Sequence, residues 1–143
     1  MQAKELMTAD VECIPPGMLV RDAALKMRFL DVGFLPVCEN DRLIGTLTDR
    51  DIVLRGVADG RDLKDCKARD LMTADVFWCY DDLTAEEVAE FMASREVRRV
   101  LVLDRKKKLV GVISIGDLAK RGDDEQKTGE TIKEIAEAPR QAA

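Results

Sequence analysis

The chain has 143 residues and a formal net charge of −5, a length that suits one domain or two small half-domains with a shared core. A hydrophobic fraction of 46% beside a charged fraction of 36% is typical of a soluble globular protein, and no apolar run approaches the length of a membrane span. The acidic balance argues against nucleic-acid binding, because duplex binding needs several cations on one face.

The residue types that carry chemistry narrow the function further. The four cysteines form no C-x-x-C pair. We expect no signal peptide, and we therefore expect free thiols in a reducing, cytoplasmic setting. There is no histidine, which removes the usual general base at neutral pH and the commonest transition-metal ligand. We find no nucleophile–base pair, metal-ligand cluster or phosphate loop, and therefore expect no enzyme, no catalytic residue and no metal site.

One unit occurs twice along the chain. Leu6–Val11 and Leu71–Val76 both read L-M-T-A-D-V, and matching residues continue as far as Gly56 in the first copy and Gly122 in the second. A tandem repeat of this length predicts two structural units of one kind. We assign residues 4–57 to the first copy, 58–68 to a polar linker, 69–122 to the second copy and 123–143 to a charged C-terminal tail. Within the tail we expect 123–130 to be too charged to pack, and one or two helical turns over 131–138.

The first copy predicts two helices around a pair of strands. Its first helix carries one apolar face at i, i+3, i+4 and i+7, formed by Val20, Ala23, Ala24 and Met27. Two short apolar runs around a polar turn then predict paired strands over 34–38 and 43–47. A second helix begins near Asp49, and Gly56 stands just past its expected end.

The second copy repeats this order. Its first helix begins with a capping box, Thr84 with Glu87, and carries the equivalent apolar face of Ala85, Val88, Ala89 and Met92. Strands are predicted over 100–103 and 109–113, and the cationic run 105–108 between them is interpreted as a solvated hairpin turn. The second helix begins near Ile115 and ends before Gly122. Each copy is therefore predicted to be β-α-β-β-α.

Both copies place a hydroxyl residue at a strand–helix junction and an aspartate three residues later. The segments are Gly45-Thr46-Leu47-Thr48-Asp49-Arg50-Asp51 and Gly111-Val112-Ile113-Ser114-Ile115-Gly116-Asp117. Such a pair resembles a capping box, in which both side chains satisfy free backbone N–H groups. The same geometry suits a nucleotide, because a helix N-terminus favours phosphate and an acidic side chain accepts hydrogen bonds from ribose hydroxyls. The residues leave both alternatives open.

The doubled segments, the L-P-V and V-L-V strands and the L-M-T opening of each copy resemble a tandem pair of cystathionine-β-synthase (CBS) domains, also called a Bateman module. The resemblance covers about Lys4 to Gly122, and 47–60 is similar to small stand-alone bacterial members. It implies an α/β (α+β) fold of two β-α-β-β-α repeats related by a pseudo-twofold axis, with two clefts between the copies. In many members a cleft holds AMP, ADP or ATP, or a relative such as NAD or S-adenosylmethionine.

The resemblance also implies roles for individual residues. Asp51 and Asp117 would hold ribose hydroxyls, Thr48 and Ser114 would contact phosphate or ribose, and Arg99, with Arg98 beside it, would pair with phosphate. The adenine would be lined by the backbone around Cys13, Ile14, Trp78 and Cys79, together with Leu35, Pro36, Val100 and Leu101. The remaining site positions are Asp49 and Arg50 in the first copy and Ile115 and Gly116 in the second. Arg98 and Arg99 have the alternative role of a solvated strand entry, and Trp78 that of a core residue.

The two copies differ at the positions that would face a ligand. Gly33-Phe34 in the first copy corresponds to Arg98-Arg99 in the second, and Asp49-Arg50 corresponds to Ile115-Gly116. The two clefts should therefore be electrostatically unlike. We predict that one of them binds a nucleotide much more tightly than the other.

Two functional hypotheses follow. The first is a regulatory module that senses an adenine nucleotide, requires no cofactor and acts in trans on an unidentified protein partner. The second is a structural or interaction protein that binds no nucleotide and is regulated through thiols, with Cys66 in the polar linker as the most exposed candidate. We also expect a homodimer formed through helical faces, on which Leu25, Phe29, Leu30 and Phe91 lie outside the main apolar stripe, although these residues have the alternative of completing the core.

Overall fold

The computed structural model describes residues 1–137, which divide into two compact units. Among the described residues, the first unit is Glu12–Val76, and the second unit combines Met1–Val11 with residues 77–137. None of the helices in the described part of the chain is long and apolar enough to cross a membrane.

The elements follow one another in the predicted order, with short additional helices. They are α1 (Ala3–Leu6), β1 (Thr8–Ala9), α2 (Val20–Leu30), β2 (Phe34–Glu39), β3 (Arg42–Thr48), α3 (Asp49–Asp51), a π-helical stretch (Ile52–Val57), α4 (Ala68–Leu71), β4 (Trp78–Tyr80), α5 (Ala85–Arg95), β5 (Arg99–Leu103), β6 (Leu109–Ser114), α6 (Ile115–Arg121) and α7 (Glu125–Glu137). The mixed α+β class and the two-copy organisation are confirmed.

The second unit is built on a four-stranded sheet in the order β1-β6-β5-β4. Strand β4 runs parallel to β5, and the other neighbours are antiparallel. Apolar side chains of α1, α5, β5 and β6 are buried in one core. Its largest fully buried side chains are Leu6, Met92, Ile113, Val88, Val100 and Val102. Burying that apolar surface is the main force that holds the helices on the sheet.

The first unit has the same plan with shorter outer strands. Its two-stranded sheet, β2 with β3, is antiparallel, and single bridges extend it on both sides: Ile14 with Val37 in parallel, and Thr46 with Thr73 antiparallel. These bridges stand where β4 and β1 stand in the second unit. The core beneath them is formed mainly by Ile14, Val20, Ala23, Met27, Leu35, Val37, Leu47, Ala68 and Leu71.

The predictions for the first helix of each copy are correct except at one residue. The capping box of α5 is present: Thr84 Oγ1 accepts from the Glu87 N–H at 3.1 Å, and Glu87 Oε2 accepts from the Thr84 N–H at 3.3 Å. On α2, Val20, Ala23 and Met27 are buried as predicted. The prediction for Ala24 is wrong, because Ala24 is exposed at the edge of that stripe.

The opening segment of each copy packs against the strand of the other copy. Thr8 pairs with Val112 of β6 in the second unit, and Thr73 pairs with Thr46 of β3 in the first. We call 6–8 and 71–73 the exchanged L-M-T segments. The glycine of each repeated motif makes room for them, since a Cβ on Gly45 would stand 2.7 Å from the Thr73 carbonyl oxygen.

The glycine prediction at position 56 is wrong. Gly56 is buried inside the π-helical stretch and does not end the helix. A Cβ there would lie 2.9 Å from Leu63 Cδ2 and 3.2 Å from Leu71 Cδ1, so close packing explains the glycine. Gly122, by contrast, follows directly after α6, as expected.

The exposure predicted for Cys66 is also wrong. Cys66 is 4% exposed and belongs to the core of the first unit. The reason is that the linker is hydrogen-bonded to the residues just before and at the start of α2: the Val20 N–H donates to the Cys66 carbonyl at 2.8 Å, and the Ala68 N–H donates to the Met18 carbonyl at 2.8 Å. A segment of polar composition is thereby held against the unit.

The charged tail forms a longer helix than its composition suggested. Helix α7 begins at Glu125, within the segment predicted to be too charged to pack, and buries Thr131 and Ile135. Its charged side chains remain mostly on the exposed side, and Lys127 Nζ lies 3.4 Å from Glu90 Oε1 of α5. The helix therefore packs through a narrow stripe that composition alone conceals. Residues 138–143, including the last position of the predicted tail helix, lie outside the described residues.

Candidate ligand site at the strand–helix junctions

The hydroxyl and the aspartate of the first motif form a capping box. Thr48 Oγ1 accepts from the Asp51 N–H at 3.0 Å, and Asp51 Oδ2 accepts from the Thr48 N–H at 3.0 Å. This reciprocal pair begins α3, and it satisfies two backbone donors that would otherwise lack intrahelical partners. The capping interpretation is therefore confirmed for the first copy.

The Asp51 carboxylate also holds the exchanged segment. Thr73 Oγ1 donates to Asp51 Oδ1 at 3.4 Å, and Arg55 Nη1 lies 3.7 Å from the same oxygen. The Arg55 guanidinium in turn donates to the carbonyl oxygens of Leu71 and Met72, each at 3.0 Å. Asp51 is 1% exposed, so its contacts are made inside the unit.

The second unit repeats this arrangement with a more open carboxylate. Asp117 Oδ2 accepts from the Ser114 N–H at 2.9 Å and from the Ser114 hydroxyl at 3.1 Å, while Ser114 Oγ accepts from the Asp117 N–H at 3.1 Å. Thr8 Oγ1 donates to Asp117 Oδ1 at 3.3 Å. Asp117 is half-buried, in contrast to Asp51. Its Oδ1 therefore has one long hydrogen bond among the described contacts and room for a further donor.

Arg121 occupies the place that Arg55 has in the first unit. Its Nη1 donates to the Met7 carbonyl at 2.7 Å and to the Leu6 carbonyl at 3.2 Å. A guanidinium can bond two carbonyl oxygens at once because its donors lie in a fixed fork. The repeated Asp and Arg, four residues apart, thus form a clamp on the L-M-T segment that belongs to the other copy.

The second unit brings its predicted phosphate residues to this junction. Arg99 lies directly opposite Ser114 in the β5–β6 ladder, and the Ile115 N–H donates to the Arg98 carbonyl at 3.1 Å. Arg98 and Gly116 are exposed, and Arg99 is half-buried. Two arginines, a serine and an aspartate therefore stand at neighbouring positions where β6 ends and α6 begins.

The equivalent junction of the first unit carries a different set of groups. Phe34 lies opposite Thr48, and the Asp49 N–H donates to the Gly33 carbonyl at 2.9 Å. A Cβ on Gly33 would stand 2.9 Å from Asp49 Oδ2, so the Asp49 carboxylate lies against this glycine. Arg50 Nε is buried and has no hydrogen-bond partner. The two junctions share a backbone plan and differ in charge.

The residues predicted to line the adenine lie on the strands next to each junction. The Ile14 N–H donates to the Pro36 carbonyl at 2.9 Å, and Trp78 lies opposite Leu101 in the β4–β5 ladder. Many of these side chains are packed into the hydrophobic cores, namely Ile14, Leu35, Cys79 and Val100. Cys13 is exposed, and Trp78 is half-buried with its ring edge-on to Tyr80 at 5.1 Å between centroids.

Two groups of residues near these junctions were not predicted from the sequence. One is the arginine clamp, although the correspondence of Arg55 with Arg121 in the repeat was a usable signal. The other is the pair Cys13 and Cys38, whose Sγ atoms lie 2.6 Å apart. No sequence spacing indicates that pair, because its members are brought together by strand pairing. Within 1–137, no group of three or more cysteine, aspartate or glutamate side chains is arranged to hold a metal ion.

Comparison with known proteins gives one consistent family. The family model described as CBS domain matches residues 3–57 and 68–124. The uncharacterized protein YlbB of Bacillus subtilis (strain 168) is 37% identical over 136 residues, which cover 94% of this chain and 90% of YlbB. Hypoxic response protein 1 of Mycobacterium tuberculosis (strain ATCC 25618 / H37Rv) is 36% identical over 119 residues, 82% of each chain.

Solved structures with a similar fold include relatives from the same family. The crystal structure of hypoxic response protein I with two coordinated zinc ions matches with a TM-score of 0.75 at 35% identity, covering 85% of this chain and 98% of that one. The crystal structure of CBSX2 in complex with AMP matches with a TM-score of 0.71 at 23% identity, covering 83% and 93%. The likeness to CBSX2 is a likeness of fold.

Proposed function

This chain belongs to the CBS-domain family as a pair of CBS domains, and we propose that it is a regulatory module that binds an adenine nucleotide and acts in trans on a protein partner. In this proposal the nucleotide binds to the residues at the strand–helix junctions. The CBS protein CBSX2 has been crystallised with AMP, and AMP is accordingly the first ligand to test. ADP, ATP, NAD and S-adenosylmethionine share its adenosine and follow it.

The observation that supports the proposal is the placement of residues with complementary chemistry at one junction of the second unit. Arg99 stands opposite Ser114, and the Ser114 N–H and hydroxyl orient the Asp117 carboxylate. A guanidinium matches phosphate oxygens bidentately, and a half-buried carboxylate with spare acceptor capacity suits a ribose hydroxyl. Phosphate and ribose are the two polar parts of a nucleotide. The arrangement therefore provides a group for each of them at one junction.

We propose that the second unit contributes the tighter site. Asp51 is 1% exposed and contacts Thr48, Thr73 and Arg55, so a ribose hydroxyl would have to displace an internal hydrogen bond. Asp117 needs no such exchange because it is half-buried. The orphaned Arg50 Nε favours some acceptor at the first junction as well, since an unpaired buried donor costs about 1–3 kcal/mol. That single donor would attract a nucleotide less strongly than the several polar groups at the junction of the second unit.

The test is calorimetric titration of nucleotide-stripped protein with AMP, ADP, ATP, NADH and S-adenosylmethionine. We expect Asp117→Asn to weaken binding at least about tenfold, which corresponds to about 1.4 kcal/mol, and Asp51→Asn to weaken it less. Asp82→Asn is the matched control, because that exposed carboxylate pairs with Arg105 away from the junctions. Saturation at about one hundred times the dissociation constant should also add about 2.7 kcal/mol of stability in a thermal-shift assay.

The alternative of an interaction protein without a nucleotide is favoured by one observation. The arginine–aspartate clamps already give Asp51, Arg55 and Arg121 a structural role, so the repeated motif does not need a ligand to explain it. No heat and no thermal shift with any of the five compounds would refute nucleotide binding and leave this alternative. Binding that Asp117→Asn does not change would refute the assignment of the second unit.

We also propose that the chain forms a homodimer through the helical face of the first unit. In the second unit, α7 packs on α5 and α6. The first unit has no counterpart of α7 among the described residues, and its equivalent helices expose Phe29 (89%), Val57 (60%), Val53 (54%), Leu54 (44%) and Leu25 (41%). A second copy would bring the same apolar face, which suits an isologous twofold contact.

Sedimentation at micromolar concentration tests the dimer. We expect Phe29→Glu to shift the wild-type dimer to a monomer, because it would place a charge at the centre of an apolar contact. Lys106→Gln, in the solvated β5–β6 turn, also makes the net charge one unit more negative and should leave the dimer intact. A monomeric wild-type protein would refute the proposal, as would a dimer that Phe29→Glu leaves unchanged.

A further inference from the structure

Two cysteines of the first unit are placed side by side. The Sγ atoms of Cys13 and Cys38 lie 2.6 Å apart, although 25 positions separate the residues in sequence. Cys13 is exposed and Cys38 is half-buried, so a small oxidant in solvent can reach the pair. This separation is already close to the roughly 2.05 Å of a sulfur–sulfur bond.

The backbone holds the pair in position. Ile14 and Val37 form a parallel bridge, in which the Ile14 N–H donates to the Pro36 carbonyl at 2.9 Å and the Cys38 N–H donates to the Ile14 carbonyl at 3.0 Å. Ile14 and Val37 point into the core. Because successive side chains of extended backbone point to opposite faces, the neighbouring Cys13 and Cys38 both point away from it. A register irregularity between Val37 and Cys38 further adjusts the direction of the second thiol.

The two thiols are chemically unequal. A hydrogen bond from Cys38 lowers the pKa of Cys13, and the positive charge of Lys26 acts in the same direction, while burial and Asp41 oppose it. The same hydrogen bond raises the pKa of Cys38, as does its burial. Thiolates are the reactive form of cysteine. Cys13 is therefore the nucleophile of the pair, and Cys38 is the thiol that holds its proton.

The other cysteines lack this environment. Cys66 is buried, and burial raises the pKa of Cys79 to about 11. The second copy also has no equivalent pair, because Trp78 and Leu103 stand at the positions that correspond to Cys13 and Cys38. Proximity, exposure and a thiolate-favouring neighbour therefore coincide at one place among the four cysteines.

We propose that Cys13 and Cys38 form a redox-active dithiol that a peroxide converts to an intramolecular disulfide. The Cys13 thiolate attacks one peroxide oxygen, the O–O bond breaks, and the departing oxygen takes a proton as water or an alcohol. The Cys38 thiol then attacks the resulting sulfenic acid, the sulfur–sulfur bond forms, and hydroxide leaves as water with the Cys38 proton. The two thiols lose two electrons in all, and the peroxide gains them. A small dithiol reverses the change by thiol–disulfide exchange.

The disulfide would join the chain just before α2 to the end of β2. Both ends already belong to one unit, so its formation requires little movement. This inference concerns the first unit and stands without nucleotide binding, since the calorimetric titrations above and the thiol chemistry can succeed or fail separately. It also replaces Cys66 with the Cys13–Cys38 pair as the thiol site of this chain.

The experiment uses the full chain with one equivalent of hydrogen peroxide. Remaining free thiols are alkylated, and intact-mass and peptide mass spectrometry identify the products. We expect loss of two hydrogen atoms, alkylation of Cys66 and Cys79 alone after unfolding, and a Cys13–Cys38 cross-linked peptide that dithiothreitol abolishes. Cys13→Ser and Cys38→Ser should each prevent the cross-link, and the double variant C66S/C79S is the matched control that should retain it.

Several results would overturn the proposal. One is a product linked through Cys66 or Cys79, and another is a disulfide between two chains through Cys13. A third is a folded, reduced protein in which Cys13 and Cys38 remain alkylatable after peroxide treatment. Circular dichroism of Cys13→Ser guards against misfolding as a cause of lost cross-linking. Because Cys13 is exposed, this variant should retain the wild-type spectrum.

Discussion

Replacing Gly45 by alanine is expected to destabilise the first unit by opening the contact between β3 and the exchanged segment. The new Cβ would stand 2.7 Å from the Thr73 carbonyl oxygen and 3.1 Å from Met72 Sδ. The sulfur can move because its side chain is flexible. The carbonyl oxygen cannot, because it accepts the Thr46 N–H at 2.9 Å while the Thr73 N–H donates back to the Thr46 carbonyl at 2.9 Å.

The magnitude follows from these contacts. Overpacking of a tight site typically costs about 1–3 kcal/mol, and each of the two backbone hydrogen bonds contributes about 1 kcal/mol net. Relief of the backbone entropy of glycine returns about 0.5–1 kcal/mol. We therefore expect the free energy of unfolding to fall by about 2–4 kcal/mol, a large part of the roughly 5–15 kcal/mol of a typical domain.

Gly129→Ala is the matched control for this change. Gly129 lies inside α7, and a Cβ there would have no neighbour within 4 Å. Alanine should stabilise the helix by up to about 1 kcal/mol. Urea unfolding followed by circular dichroism at one protein concentration measures both variants. A Gly45→Ala protein with the wild-type midpoint and slope would refute the close contact between β3 and the exchanged segment.

Three further variants test other contacts. Thr84→Ala removes the N-cap of α5 and should lower the unfolding free energy in urea by about 1 kcal/mol; an unchanged midpoint would contradict the capping box. Arg121→Met removes two hydrogen bonds to backbone carbonyls of the exchanged segment and should cost about 1 kcal/mol in the same assay, whereas equal stability would contradict the clamp. Arg105→Gln should raise the pKa of the Asp82 carboxyl, which a hydrogen bond from Arg105 holds below its usual value, and an NMR titration of Asp82 measures this. Because the folded pKa is the lower one, the pair contributes stability above the ordinary carboxyl pKa and loses it as the pH falls through the lowered value; any difference in stability between wild type and variant should vanish there.

The elements that local patterns specify were predicted well. The paired strands, the start of α3 at Asp49, the start of α6 at Ile115 and the cap at Thr84 all match the structure. Each of these depends on residues within a few positions of one another, through apolar periodicity or a capping hydrogen bond. The errors lie where distant segments meet. Gly56 and Cys66 looked like a stop and a linker residue, and both are buried by contacts with other segments.

In the candidate site, too, the local features could be predicted and the features that depend on distant segments could not. The hydroxyl and aspartate of each motif could be predicted as a pair, because both lie within one turn of chain. The difference in burial between Asp51 and Asp117 could not, because it depends on how each carboxylate meets the exchanged segment and its surroundings. The two clamp arginines occupy matching positions of the repeat, but only the tertiary structure shows which carbonyl oxygens they contact.

The sequence by itself determined the family, the two copies and the order of elements in each, because these follow from repetition and from local hydrogen bonding. The tertiary structure decided where each L-M-T segment packs, since strand pairing joins segments that are far apart in sequence. It also decided which cysteines are partners. Cys13 and Cys38 meet because the Ile14–Val37 bridge brings their backbones together, and no spacing in the chain encodes that contact.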